Sequence, residues 1–179
     1  MKILIAYDSG NGTVKTAVDR LVQPLERWDV TVASLSCDAP DPKDFDLIVV
    51  GSSVRNGKLR AAARSFLKNY TDVLATKRFG LFFCCGLTEE QDYYAEKLFP
   101  RALRDAAFHT VCFGGSLKTE GLGFWDKMRV RSMRSHLFEK EMDDGNYIPN
   151  LPYILPENID DMANAITQEA LRLIGAEKK

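Results

Sequence analysis

The most constraining feature of this chain is its opening. Lys2-Ile3-Leu4-Ile5-Ala6-Tyr7 reads as a strand buried on both faces, and it runs into Asp8-Ser9-Gly10-Asn11-Gly12-Thr13, where two glycines break the extended pattern. Between Val14 and Glu26 the residues Ala17, Val18, Leu21, Val22 and Leu25 recur at helical spacing, which predicts a helix. A buried strand that stops in a glycine corner and feeds a helix start suits an anion. Backbone N–H groups at the helix start have no partner within the helix, the helix dipole adds partial positive charge, and glycine permits close approach. Ser9 and Thr13 supply hydroxyl donors. The corner differs from two common nucleotide signatures, since no Gly-Lys-Ser/Thr closes it and no third glycine completes a dinucleotide fingerprint. A tight turn with a helix cap and no ligand is the competing explanation.

The pattern then repeats. Val30 to Ala33, Asp46 to Gly51, Phe79 to Cys84 and Thr110 to Phe113 are short apolar runs, and helical periodicity covers Leu59 to Tyr70, Glu89 to Ala107 and Glu157 to Ile174. Apolar strands alternating with amphipathic helices predict a parallel sheet covered on both faces, an α/β doubly wound three-layer sandwich with five strands. A length of 179 residues fits one domain spanning 1–179. Ligands of such sheets bind beyond the carboxyl ends of the strands. The small or polar corners Ser9 to Thr13, Ser52 to Gly57 and Cys85 to Leu87 are therefore expected to converge on one site.

Other function classes are disfavoured. A net charge of -1 gives no general reason for nucleic-acid binding. No apolar run is long enough to span a bilayer, and the opening strand follows no signal pattern, which predicts a cytoplasmic protein. Cys37, Cys84, Cys85 and Cys112 mostly sit in apolar runs, as reduced buried thiols do. With His109 and His136 as the histidines, no metal site is expected.

The chain resembles the flavodoxin-like family, and within it is most similar to the menaquinone-dependent protoporphyrinogen oxidases. The closer likeness rests on Val50-Gly51-Ser52-Ser53-Val54-Arg55-Asn56-Gly57, Gly114-Gly115-Ser116-Leu117, Phe124-Trp125-Asp126-Lys127-Met128 and the C-terminal helix. The resemblance implies strand order 2-1-3-4-5 and FMN as cofactor. Its phosphate would lie at Ser9, Gly10, Asn11, Gly12, Thr13 and Val14. Its ring would lie between Ser53, Val54, Arg55, Asn56, Gly57 and Cys85, Gly86, Leu87. The implied activity is an oxidoreductase that takes electrons from a reduced small-molecule substrate and passes them to a quinone or other acceptor. A flavodoxin-type single-electron carrier is one alternative; a cofactor-less interaction or regulatory module is another.

Three residues depart from the family pattern. Val14 stands where flavodoxins usually carry a phosphate-binding hydroxyl, which Thr13, Lys15 or Thr16 would have to replace. Asp8 beside the corner is expected to repel a dianion. Asn56 replaces an aromatic residue that could cover the flavin, leaving Leu87, Tyr93 or Trp125 for that task. An Arg55 guanidinium near the ring would stabilise a reduced anionic flavin, unless it points to solvent. Asn56-Gly57 is equally a standard turn pair. Finally, residues 123–138 alternate basic with apolar side chains. Trp125, Lys127, Arg129, Arg131 and Arg134 there suit contact with an anionic membrane or an anionic apolar substrate, or else the solvated face of a packed crossover helix. An exposed helix leaves a homodimer open.

Overall fold

The computed structural model describes residues 1–37, 39–86, 91–115 and 153–176, together with Met128. Its centre is a parallel sheet of β1 (Lys2–Asp8), β2 (Asp29–Ser34), β3 (Leu47–Arg55), β5 (Arg78–Cys84) and β6 (Thr110–Cys112), ordered β2-β1-β3-β5-β6. A two-residue strand β4 (Lys58–Leu59) pairs antiparallel with the end of β3. With that hairpin set aside, the order is the expected 2-1-3-4-5 of a flavodoxin-like sandwich.

Alternation along each strand sorts side chains onto two faces. Ile3, Ile5, Leu47, Val49 and Phe82 pack under α1 (Thr13–Val22) and the long final helix, α6 (Pro156–Ala176). Leu4, Ala6, Ile48, Val50, Leu81 and Phe83 pack on the other face, with side chains of α2 (Ala61–Asn69), α3 (Thr71–Thr76) and α5 (Arg101–Ala106) and partly buried residues of α4 (Gln91–Leu98). Both clusters consist of residues almost wholly withdrawn from water, which is the main source of stability for a parallel sheet. At the centre Gly51 makes room for an aromatic ring: a Cβ there would lie 1.9 Å from Phe82 Cζ. Phe82 in turn stacks on Phe113, with ring centroids 4.4 Å apart.

Two boundaries differ from the sequence expectation in ways that shape the site. The corner expected over Ser52 to Gly57 is largely strand, because β3 continues to Arg55 and turns back through Asn56 and Gly57 into β4. Both turn residues have positive φ (53° and 67°), the geometry of a two-residue hairpin that Asn-Gly favours. Leu59 therefore belongs to β4, and the helix expected from Leu59 begins at Ala61. The single helix expected over Glu89 to Ala107 is broken at Phe99-Pro100, since proline cannot donate to the preceding turn and disfavours helix in the residue before it.

Candidate functional site

The parallel register brings three strand ends to one level. Asp8 of β1 lies opposite Ser52 of β3, and Ser53 lies opposite Cys84 of β5, so the chain leaves all three strands on the same edge.

The first corner is the open start of α1. Gly12 is its N-cap in the left-handed conformation (φ 85°), no side chain caps the helix, and a Cβ at Gly12 would meet nothing within 4 Å. Apart from the Thr13 N–H, which the Asn11 side chain engages, the helix start faces open space at Gly12, which fits an anion. Ser9 adds a hydroxyl whose Oγ is buried without a hydrogen-bond partner, an arrangement that costs free energy until a ligand or solvent atom accepts or donates there. Asn11 Oδ1 accepts from the Thr13 N–H at 3.3 Å and shapes the turn. Val14 is fully buried against Ile3 and Val49, so position 14 contributes backbone alone to the corner. Of the three replacements considered for its missing hydroxyl, Lys15 is committed to Asp19 at 2.7 Å and Thr16 Oγ donates to Gly12 O at 3.2 Å; Thr13 is left.

The expected repulsion by Asp8 is corrected. Its carboxylate is 1% exposed and is met by Arg60 Nε at 2.8 Å and by the Ser36 hydroxyl at 2.9 Å. The Arg60 charge offsets that of Asp8, so Asp8 brings no uncompensated negative charge to the corner. Arg60 owes its place to the hairpin. Once β4 returns the chain toward β1, the Arg60 N–H donates to the buried Ser52 hydroxyl at 3.1 Å, and Arg60 becomes the N-cap of α2. Its guanidinium then lies across Gly10, where a Cβ would come within 2.6 Å of Nη1. Sequence reasoning missed Arg60 because it was read inside a helix; the usable signal was the Asn-Gly turn, which shifts the helix start and frees that position.

At the second corner Ser53 and Val54 are half-buried, while Arg55 and Asn56 are exposed at the hairpin tip. The Lys97 ammonium lies 3.6 Å from where a Gly57 Cβ would stand and 5.4 Å from the centre of the Tyr93 ring, which is 56% exposed. A cation and an open aromatic face therefore flank the turn, with Tyr93 well placed as one of the residues considered for covering a planar ring. The third corner is tighter. Cys85 is buried and its N–H donates to Gly114 O at 2.9 Å, leaving half-buried Gly86 as the part nearer solvent. Burial pushes the Cys84 thiol far above its ordinary value, and burial also raises that of Cys112, so neither offers a thiolate at neutral pH. Leu87, Trp125, Lys127, Arg129, Arg131 and Arg134 lie outside the described residues. Among the described residues there is no cluster able to hold a metal and no helix long and apolar enough to cross a membrane.

A flavodoxin domain model matches residues 4–144. The chain belongs to the flavodoxin family. Among solved structures it is similar to the Fusobacterium nucleatum flavodoxin bound to flavin mononucleotide, with TM-score 0.50 and 16% identity over 94% of this chain and 98% of that one. It is also similar to a flavodoxin from the domain Archaea, with TM-score 0.47 and 21% identity over 78% and 98% of the two chains. The two-electron reduced flavodoxin of Megasphaera elsdenii gives TM-score 0.47 and 17% identity over 62% and 84%. No curated protein matches this chain. The family and its fold are thereby shown, while the closer likeness to quinone-linked protoporphyrinogen oxidases gains no support. A cavity of about 550 Å³ in this flavodoxin-family chain lies elsewhere, between Met1, Asp46, Thr76, Arg78 and Leu173. Met1, Asp46 and Arg78 mark where β1, β3 and β5 begin, so that cavity is at the edge opposite the three corners.

Proposed function

We propose that this chain binds FMN and serves as a flavodoxin-type electron carrier. The observation that carries the reading is the first corner: a helix start whose left-handed N-cap glycine faces open space, beside a buried, unpartnered Ser9 hydroxyl. That combination suits the phosphate of the flavin mononucleotide held by the related Fusobacterium flavodoxin. Ser9, Gly10, Asn11, Gly12, Thr13 and the Val14 N–H would hold the phosphate. Ser53 to Gly57, Cys85, Gly86 and Leu87 would border the ring, and Tyr93 would exclude water from one side of it. FMN supplies the reversible redox chemistry, and the protein supplies binding, orientation and local electrostatics.

A second reading keeps the same cofactor but transfers electrons in pairs, from a reduced substrate such as protoporphyrinogen to a quinone, with contact at the inner face of the membrane. It is favoured by the cations around the second corner, where Arg55, Lys58 and Lys97 surround the turn and would stabilise an anionic reduced flavin. Titration of the purified chain with FMN, followed by stepwise reduction, tests both. Saturable quenching of flavin fluorescence with two resolved one-electron steps supports the carrier. A single two-electron step with quinone-coupled turnover of protoporphyrinogen supports the oxidase. Absence of saturable flavin binding overturns both and leaves the interaction module.

A further inference from the structure

Building on the FMN reading, we propose that Arg60 is the residue by which the first corner selects a phosphorylated ligand, with Asp8 holding its guanidinium over the loop. The backbone of Arg60 is fixed on both sides of its Cα: its N–H donates to Ser52 Oγ at 3.1 Å, and its carbonyl accepts from the Arg64 N–H at 3.1 Å. Its side chain is fixed through Nε, 2.8 Å from the Asp8 carboxylate, while Nη1 lies on the Gly10 side of the guanidinium. A guanidinium presents five N–H donors in a planar fork, and the Asp8 contact engages the Nε end. The Nη1 end lies beside Gly10, in the loop that leads from β1 to the start of α1.

Charge bookkeeping points the same way. Lys15, the cation next in sequence to the corner, is exposed and paired with Asp19. Among the described residues Arg60, at 29% side-chain exposure, is the cation set against Gly10 in the corner itself. Asp8 and Arg60 are together neutral, so the pair adds no net charge to the corner. A phosphate monoester brings up to two negative charges, and a guanidinium already aligned can shift part of its charge-assisted hydrogen bonding from Asp8 to phosphate without ordering a new side chain. Gly10 completes the device, because a Cβ there would collide with Nη1 and displace the fork. The ligand class is a phosphate monoester; a flavin lacking phosphate gains nothing from Arg60.

The test titrates the full chain with FMN, with riboflavin and with inorganic phosphate, in wild type, Arg60→Gln, Asp8→Asn/Arg60→Gln and Gly10→Ala. The double variant removes both charges, so no lone buried carboxylate remains to unfold the corner. FMN affinity is expected to fall about tenfold or more in both Arg60 variants, the scale of one charge-assisted contact, with riboflavin affinity changed less than about twofold. Gly10→Ala is expected to weaken FMN in the same phosphate-dependent way, and inorganic phosphate to displace FMN from wild type better than from the double variant. Equal loss of FMN and riboflavin in the double variant, or unchanged FMN affinity, overturns the assignment. If wild type binds neither flavin, the FMN reading fails by itself. Phosphate binding to wild type and not to the double variant then still supports the role of Arg60, and phosphate binding to neither or equally to both overturns it.

Discussion

Helices α1 and α4 leave the same edge of the sheet, after β1 and β5, yet they are held very differently. Helix α1 buries Thr13, Val14, Ala17, Val18 and Leu21 against the sheet, while α4 has no fully buried residue and touches the core through half-buried Tyr94, Ala95 and Leu98. The first corner is thus anchored by core packing from its second helical residue onward. The second and third corners are bordered by an element that rests lightly on the protein. Affinity for a small anionic group is best placed on the rigid corner, where no ordering cost accompanies binding. Adjustment to a ring or a partner is best placed on the light one.

The contrast breaks most sharply under equivalent deletions. Leu21→Ala in α1 is expected to cost about 3 kcal/mol, because the residue is fully buried and a cavity is left behind. Leu98→Ala in α4 is expected to cost about 1 kcal/mol, since its side chain is only partly withdrawn from water. Urea denaturation of both variants checks this, and equal losses would erase the distinction. A smaller effect separates the two left-handed glycines. Gly12→Ala and Gly57→Ala should each cost about 1 kcal/mol in stability, from the strain of a Cβ at φ 85° and 67°. FMN titration should show the Gly12 variant alone losing phosphate-dependent affinity.

The centre of the sheet was legible in the sequence because β1, β3 and β5, buried on both faces, leave unbroken apolar runs, and the shorter edge runs Val30 to Ala33 and Thr110 to Phe113 also became strands in the expected order. The shape of the first corner was legible for a related reason, since glycines and hydroxyls between a strand and a helix leave few other conformations. What sequence reading lost was everything decided by the hairpin. Ser52-Ser53-Val54-Arg55 looks polar enough for a loop, yet Ser52 and Ser53 stay paired with β1 and β5, and pairing with Lys58-Leu59 extends the strand through Val54 and Arg55. Arg60 and the neutralised Asp8 followed from that pairing, and they lie 52 positions apart. Long-range ion pairs of this kind have no local periodicity to announce them.

Smaller effects sharpen the comparison at the light corner. Tyr93→Ala should change stability by no more than about 0.5 kcal/mol, because the ring is mostly exposed. The same substitution should alter the visible spectrum of bound flavin if that ring borders it. Behind this corner, burial raises the pKa of Cys84 and Cys112 in the folded chain above the ordinary value of 9.0. The unfolded chain then releases those protons at lower pH than the folded one, so their contribution is complete below pH 9.0 and declines as pH rises beyond it. Alkylation near pH 8 should accordingly modify exposed Cys37 well before either buried thiol, as mass spectrometry of partly labelled protein would show.

Gly51 and Phe82 behave as one unit spread over two neighbouring strands. Any side chain gained at the first position must be matched by atoms lost at the second, so each residue alone is frozen although the pair together is free to drift. Substitutions there should be strongly non-additive: Gly51→Ala is damaging by itself and substantially rescued when Phe82 becomes leucine. Descendants of this chain would be expected to exchange volume across that contact, and a laboratory library that varies the two positions independently would discard most of its members.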